Sequence, residues 1–423
     1  MGGRARGRPG GRGGLTGLTG RAGLVALITA SATSALGSRV SMVAIPWLVL
    51  TTTGDPTQMG LVIAAQMIPY LLSGVFGTPV AERLGIRLSA ITADVVSCVT
   101  TAVIAAAADA GLPVILAMVA ISGAVRGAGD RTKNVMLRPM AEAAGMKMSR
   151  MTAVHDGLGN GATLVGAPLG GLLVFWLGAQ GAIWVDAASY AVCVLIMLTL
   201  VRPPAHLMPA RKPRPEPYLT ALRAGAVHLS RDRLLFGMLA MTFFANAVNQ
   251  AHTALFVPLW VSEVLHSPAA LGTVLGAFAA GAVTGNLVFI GLAPKLPAFL
   301  TFTICLAISG APRLIVLGVS DSLGLVLSVT FLCGFAVAAV NPILGVLLYE
   351  RVPVDMQTRV FGLVATVSFS GYPVGGLLGG WAVTGFGLTA ALLLGAGVYL
   401  VATLVPLLRH RTAKPAPVGP AEP

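Results

Sequence analysis

Two short segments decide how this chain is organised: GAPLGGLL at residues 166–173 and GYPVGGLL at residues 371–378. Six of the eight letters are identical, and the segments lie 205 residues apart in a chain of 423 residues. Each segment lies inside a long apolar stretch. A parallel internal repeat in a chain with many membrane spans is typical of transporters whose halves move about a central site. The repeat therefore favours transport before any catalytic motif is considered.

The composition is that of an integral membrane protein. Hydrophobic residues make up 56% of the chain, charged residues only 10%, and the mean hydropathy is +0.84, whereas soluble domains contain about 25% charged residues. A helix needs about 20 apolar residues to cross the hydrocarbon core of a bilayer. Twelve such runs predict an all-α protein with two six-helix bundles related by the parallel repeat. The runs fall in residues 23–50, 57–80, 88–109, 112–128, 156–178, 180–201, 234–262, 269–293, 297–319, 322–346, 360–384 and 386–408.

The formal net charge of +13 is explained by topology rather than by nucleic-acid binding. Outside the spans, all lysines and arginines fall in alternate connections and in the two tails. The opposite connections contain only the acidic residues Asp55, Asp109, Glu263 and Asp321. Because cytoplasmic loops are enriched in Lys and Arg, we expect a multi-pass protein of the cell membrane with both termini in the cytoplasm. No nucleic-acid partner is expected.

The segments outside the spans suggest five regions. Residues 1–22 form an Arg/Gly-rich cytoplasmic tail, 23–201 the N-terminal bundle, 202–233 a cytoplasmic linker, 234–408 the C-terminal bundle and 409–423 a second tail. The linker is Pro-rich and basic at first. Its later part has apolar residues at helical spacing, which fits either an amphipathic helix on the membrane surface or an ordinary start to span seven.

Several segments resemble the major facilitator superfamily. The loop GVFGTPVAERLGIR at 74–87 is similar to that family's G-x-x-x-D-R-x-G-R-R signature. IPWLVLTTTG at 45–54, VDAASY at 185–190 and NPILGVLLYERVPVDMQTRVFG at 341–362 add to the likeness. Together they resemble the branch of enterobactin exporters and macrolide-efflux proteins. The resemblance implies a gating role at the cytoplasmic side for the loop residues Glu82, Arg83, Gly85 and Arg87; the alternative is a plain positive-inside anchor.

The repeated segments are predicted to pack helices closely. Drug–proton antiporters of the superfamily carry G-P-x-x-G-G in span five, whereas here the proline is displaced by one residue, which weakens an inference of antiport. Gly and Pro still permit a kink and close helix contact. The predicted packing motif comprises Gly166, Pro168, Gly170, Gly171, Gly371, Pro373, Gly375 and Gly376.

Two ionisable residues inside the spans are candidates for coupling transport to protons. Charged side chains inside a bilayer are costly and therefore call for a reason. Asp94 lies about 10 Å into span three, and Arg126 ends the apolar part of span four at a comparable depth. We predict an Asp94–Arg126 ion pair, which is either a proton carrier or a permanent structural pair.

A further set of polar and aromatic residues is predicted to line a central cavity. In the resembling family, spans one and seven line this cavity, and a charge at Arg39 would favour anionic or chelating substrates. Span seven contributes four polar residues at helical spacing. The predicted cavity residues are Arg39, Gln66, Tyr70, Asn246, Asn249, Gln250, His252, Asn341 and Tyr372.

The sequence thus predicts a secondary transporter rather than an enzyme, because no nucleophile, metal cluster or acid pair converges at a workable spacing. The four cysteines lie inside spans, so no metal site, disulfide or cofactor is expected. The expected activity is proton-coupled efflux of a drug-like compound, siderophore or natural product by a monomer in the lipid bilayer. Its alternatives are an importer or facilitator of the same fold and a sensor that binds a ligand without moving it.

Overall fold

The computed structural model describes residues 12–76, 84–107, 111–203, 226–227, 229–267, 269–292, 297–353 and 356–412. Outside these residues lie Glu82 and Arg83 of the predicted gating loop, most of the predicted linker, and most of the second tail. The described part of the chain contains helices and no strands.

Twelve long helices follow one another in the described part of the chain. They are α1 (Arg12–Thr53), α2 (Pro56–Phe76), α3 (Ile86–Ala106), α4 (Leu112–Ala143), α5 and α6 within Met148–Thr199, α7 (Arg233–Leu265), α8 (Ala269–Leu292), α9 (Ala298–Val319), α10 (Leu323–Arg351), α11 (Gln357–Phe386) and α12 (Leu388–Thr412). Ten stretches of the described chain are long and apolar enough to cross a membrane. One of them contains both α5 and α6, and α2 has 21 residues. The predicted fold class is confirmed.

Two glycines with positive φ separate helices at equivalent places in the two halves. Gly178 has φ 72° and ψ 171° and divides Met148–Thr199 into α5 (148–177) and α6 (179–199). Gly387 has φ 82° and ψ 165° and separates α11 from α12. Because residues with a Cβ rarely adopt a positive φ, each glycine lets the chain reverse without a loop. In both halves, a glycine turn therefore follows the helix that carries the repeated segment.

Two helices are longer than the apolar runs that predicted them. The structure places the start of α1 at Arg12, and α4 continues to Ala143 although its apolar run ends near residue 128. Arg21 shows how the two extensions meet, because its Nε donates to the carbonyl of Ala144 at 3.4 Å. Charged residues interrupt an apolar run in the sequence. They do not end the helix when their side chains have partners inside the protein.

The helices form two bundles with apolar outer surfaces. In the first bundle, α1 packs on the segment that contains α5 and α6, and α4 packs on α2 and α3. In the second, α11 packs on α7, α10 on α8, and α9 on α12. Large apolar side chains such as Leu287, Val319 and Trp176 are exposed on the outside, as expected where lipid replaces water. We call the side of the protein where α1 begins and α12 ends the terminus side, and the other the opposite side.

The repeated glycines hold equivalent helices together inside each bundle. A Cβ added at Gly170 would lie 3.1 Å from the Cα of Val40 in α1, and one added at Gly166 would overlap Arg39. In the second bundle, Cβ atoms at Gly371 and Gly375 would overlap the backbone of α7. Small residues allow such close helix approach in membranes.

The last glycine of each repeat contacts the other bundle instead. A Cβ at Gly171 of α5 would lie 2.5 Å from the backbone N of Gly272 in α8. A Cβ at Gly376 of α11 would lie 2.9 Å from Cγ2 of Ile63 in α2. The hydroxyls of Thr57 and Thr384 also bond across the bundles at 2.7 Å.

These contacts lie in the half of the molecule toward the opposite side. Gly171 is seven residues before the turn at Gly178, and Gly380 of α11 lies against Pro56, the first residue of α2. Among the described residues, the 252–256 turn of α7 adds smaller contacts between the bundles, with α1 and α2. The bundles therefore meet through equivalent pairs, α5 with α8 and α11 with α2.

Candidate substrate cavity and buried charge clusters

A cavity of about 170 Å³ lies between the two bundles. Helices α1 and α5 form one wall, and α7 to α11 form the other. Most of its surface is apolar, including Met42, Phe278 and Pro168. Its polar residues are Arg39, Thr163, Asn249, Gln250, His252, Thr253, Arg313, Thr330 and Tyr372. An apolar cavity with a few converging polar groups is the usual form of a small-molecule site.

The structure brings five of the nine predicted cavity residues to this cavity: Arg39, Asn249, Gln250, His252 and Tyr372. Arg39 and Tyr372 come from different bundles, and their side chains interact electrostatically. The Nη1 of Arg39 also lies 3.7 Å from the Sδ of Met42. The first bundle therefore contributes a cation to the cavity.

The other four predicted cavity residues do not line it. Gln66 is buried where α2 backs onto Gly123 of α4. Asn246 donates from Nδ2 to the carbonyl of Ser368 at 3.0 Å, which ties α7 to α11. Asn341 of α10 is exposed. The sequence shows that these side chains are polar and how they are spaced along their helices. It does not show which neighbouring helix each face meets.

Tyr70, the fourth of these residues, belongs to a charged cluster inside the first bundle. Its hydroxyl donates to Oδ2 of Asp130 at 3.2 Å, and the guanidinium of Arg126 lies 5.7 Å from its ring centroid. Asp186 of α6 also acts on Arg126 electrostatically and accepts a hydrogen bond from Ser41 of α1. Arg126 thus has a carboxylate neighbour on its own helix and another on α6.

The predicted Asp94–Arg126 ion pair is wrong. Asp94 of α3 pairs instead with Lys133 of α4, whose Nζ lies 2.6 Å from Oδ1. The Nζ of Lys133 also donates to Oγ of Ser34 at 3.3 Å, and the thiol of Cys193 donates to Oδ2 of Asp94 at 3.1 Å. Both Asp94 and Lys133 are 3% exposed.

The prediction failed because it placed Lys133 in a connection, whereas α4 continues past it. Arg126, Asp130 and Lys133 are spaced at i, i+4 and i+7, which puts them on one face of a helix. That spacing is the signal in the sequence that indicates a helix continuing through Lys133. Its helix is long enough to carry the lysine into the bundle interior beside α3.

His252 lies where α7 changes its winding. Residues His252–Phe256 form a π-helical turn, and Val261–Leu265 form another. Single π turns inside α-helices are frequent at functional sites. His252 is 2% exposed, and neither of its ring nitrogens has a hydrogen-bond partner.

Arg313 is a cavity residue that sequence reasoning did not select. It lies in α9 directly after Pro312 and is 4% exposed. Its Nη2 donates to Oδ1 of Asn249, and its guanidinium lies 4.8 Å from the ring centroid of Phe278. A single arginine inside an apolar span was a usable signal, because such a charge is rare without a function.

The described part of the predicted gating loop consists of Gly85 and Arg87. Gly85 has φ 86° and precedes α3. The Nη2 of Arg87 donates to the carbonyls of Met197 and Leu198 at 3.0 and 2.9 Å. Arg87 therefore caps the last turn of α6 and fixes the start of α3 within the first bundle. Its part in gating stays a prediction.

A family model described as Major Facilitator Superfamily matches residues 27–252 and again residues 239–423. The chain belongs to the major facilitator superfamily. It is 27% identical over 409 residues to a protein of Mycobacterium tuberculosis (strain ATCC 25618 / H37Rv) described as multidrug efflux pump Tap, covering 92% of this chain and 96% of that one. A pump of the same description from Mycolicibacterium fortuitum is 25% identical over 391 residues, covering 88% and 93%.

Solved structures show the same fold. The nucleoside transporter NupG has a TM-score of 0.71 at 14% identity over 92% of this chain and 99% of its own. A bacterial homolog of the human lysosomal transporter Spinster, in an inward-facing and unoccupied conformation, has a TM-score of 0.72 at 14% identity, covering 94% and 99%.

The resemblance stated from the motifs is thus confirmed, and the efflux relatives are consistent with the predicted branch. The chain is a multi-pass membrane transporter of small molecules, and its family and relatives are transporters rather than enzymes.

Proposed function

We propose that this protein exports drug-like amphipathic molecules across the cell membrane by alternating access, in exchange for protons. The observation that carries the proposal is the cavity between the bundles, which both halves line and which glycine contacts close toward the opposite side. The similarity to multidrug efflux pumps over nine-tenths of the chain supports outward transport of drug-like compounds. A monomer contains both walls of the cavity, so the proposal needs no second copy.

Alternating access is supported by how the bundles meet. At the two equivalent helix pairs, α5 with α8 and α11 with α2, glycines bring the helices into close contact, against backbone at Gly171 and against the Ile63 side chain at Gly376. Such surfaces can separate by a rigid rotation of one bundle against the other, without repacking either bundle. In the proposed cycle, these contacts break when the cavity opens toward the opposite side and reform after release.

We further propose that the terminus side is cytoplasmic, because the basic connections are on that side. In intact cells, a cysteine introduced as Asp321→Cys, between α9 and α10, should react with a membrane-impermeant maleimide. A cysteine introduced as Lys147→Cys, before α5, should react only after the membrane is permeabilised. Both positions are exposed, and the parent protein with its four native cysteines gives the background. The reverse labelling pattern would overturn the orientation.

Asp94 is the proposed proton carrier, and Arg126 belongs to a second charged cluster through which the coupling can reach the cavity. The carboxylate of Asp94 neutralises Lys133 in the buried part of the first bundle. Protonating Asp94 removes that partner, so the ammonium must find another one or a more hydrated position. This change would favour a different packing of α3 against α4. A buried ionisable pair is thus a physical means of linking a proton to a conformational step.

Accumulation measurements test the function as a whole. In bacteria that lack their own efflux pumps, the protein should lower the accumulation of amphipathic dyes, and a protonophore should restore it. Asp94→Asn should abolish this effect, because an amide cannot carry the proton. Glu142→Gln is the matched control, since that acid is on the surface and pairs with Arg138.

Each alternative gives a different result in the same assay. An importer or facilitator would raise accumulation or speed equilibration of the dye. A sensor would bind the dye without changing its accumulation. Unchanged efflux by folded Asp94→Asn protein would remove Asp94 from the coupling mechanism while leaving export in place.

A further inference from the structure

Three buried polar side chains on one wall of the cavity have atoms without hydrogen-bond partners. They are both ring nitrogens of His252, the Nε of Arg313 and the Oγ1 of Thr330. These residues are 2%, 4% and 1% exposed, and all three line the cavity. They come from α7, α9 and α10, so the arrangement is not a local feature of one helix. Most buried polar atoms in proteins are paired, and a group of unpaired ones around one cavity therefore points to a missing partner.

The surrounding structure holds Arg313 in place for such a partner. Asn249 accepts a hydrogen bond from its Nη2, and Phe278 lies against its guanidinium with a centroid distance of 4.8 Å. These contacts fix the plane of the guanidinium, while its Nε has no partner. The π-helical turn that begins at His252 sets the imidazole on the same wall. A fixed guanidinium binds carboxylates and similar groups well, because its donors lie in one plane.

The charge of the cavity indicates what the partner is. Arg39 lines the first bundle's wall and Arg313 the second bundle's wall, whereas no Asp or Glu is among the described residues that line the cavity. Two cations in an apolar enclosure repel a cationic ligand and attract an anionic one. The remaining surface, with Phe278, Tyr372 and Met42, suits an aromatic or aliphatic body.

We propose that Arg313, His252 and Thr330 form a subsite for an oxyanion, such as a carboxylate, phenolate or enolate, on an amphipathic organic substrate. Arg313 and Thr330 donate hydrogen bonds to the oxyanion, and His252 donates from one ring nitrogen. Arg39 faces the same ligand from the other bundle. This inference rests on the proposed function, because it takes the cavity to be the site from which substrate is exported.

Two dyes with the same tricyclic core but opposite charge test the subsite. Fluorescein is anionic at mildly alkaline pH, and tetramethylrosamine is cationic. With the full-length protein in lipid nanodiscs, fluorescence polarisation should show tighter binding of fluorescein. Arg313→Gln should weaken fluorescein binding by about tenfold or more, because a charge-assisted hydrogen bond and a charge are lost. Tetramethylrosamine should bind the variant as well as it binds the parent protein, or better.

Three further variants make the test specific. Arg313→Lys keeps the charge but loses the planar donors, so fluorescein affinity should fall by less. Thr330→Val removes a single hydroxyl at nearly constant volume and tests the subsite even where Arg313→Gln does not fold. Arg138→Gln makes the same change of charge on the surface, where the arginine side chain is 75% exposed, and should alter neither affinity.

Subsite and transport can fail separately. Equal binding of the two dyes, no binding of fluorescein, or equal losses for both dyes in Arg313→Gln would overturn the subsite, even if gradient-driven export persists in proteoliposomes. Conversely, selective fluorescein binding that Arg313→Gln abolishes, without export of either dye, would support the subsite and contradict the proposed transport.

Discussion

Replacing Gly171 by leucine is expected to abolish transport while leaving both bundles folded. Gly171 is where α5 touches α8 of the other bundle, and even one added Cβ would lie 2.5 Å from the N and 2.6 Å from the Cα of Gly272. Both are backbone atoms, which cannot rotate away. Overpacking costs about 1–3 kcal/mol, and a difference of that size shifts a two-state equilibrium by about 5- to 150-fold. The variant should therefore favour the arrangement in which the bundles are separated toward the opposite side.

Cysteine labelling distinguishes this effect from misfolding. Ala254 lines the cavity and is 1% exposed, so Ala254→Cys should be unreactive toward an impermeant reagent supplied from the opposite side. In combination with Gly171→Leu it should become reactive, and dye export should stop. Gly397→Leu in α12 is the matched control, because a Cβ there would meet nothing within 4 Å. Normal export by Gly171→Leu would contradict a cycle that passes through this contact.

The glycine repeat was sufficient to predict the architecture because close helix contact has few chemical solutions. Where backbones touch, only very small residues fit, and the letters that remained identical between the halves include the glycines that make equivalent contacts. Gly171 and Gly376 illustrate this, since each meets the other bundle. The apolar runs predict the number of spans, and the one-sided distribution of basic residues agrees with that number. Both signals depend on many residues, so an error of a few residues in the boundary of a span does not change the predicted architecture.

The polar interior was less predictable, because it depends on which face of each helix meets which neighbour. The sequence identifies Asp94 as an acid inside a span, but the apolar runs end before Lys133 and so do not indicate it as the partner. Arg313 is absent from the predicted cavity residues, because its place in an apolar span does not show that it faces α7 and the cavity. Hydropathy records the cost of a charge in lipid and not the partner that offsets it. The pairing could be read only after α4 had been placed against α3.

Replacing Lys133 by methionine is the second change with a large expected effect. It leaves the carboxylate of Asp94 buried, with the thiol of Cys193 as a weak remaining donor. Removing one partner of a buried ion pair costs about 3–5 kcal/mol, which is a large part of the stability of a typical domain. The yield of monodisperse protein and its melting temperature should both fall sharply. Arg138→Met, which breaks an exposed pair with Glu142, should change them little, since surface pairs contribute about 0–1 kcal/mol.

The double variant Asp94→Asn with Lys133→Met separates the two roles that a buried pair can have. Neither charge remains, so no unpaired ion is buried, and most of the lost stability should return. If the pair were only structural, the restabilised double variant would export dye against a gradient as the parent protein does. If Asp94 carries the proton, the double variant should bind dye and let it equilibrate but not concentrate it, whatever the proton gradient. Stability and coupling then respond differently to the same substitutions, and a melting curve together with one transport assay tells the two roles apart.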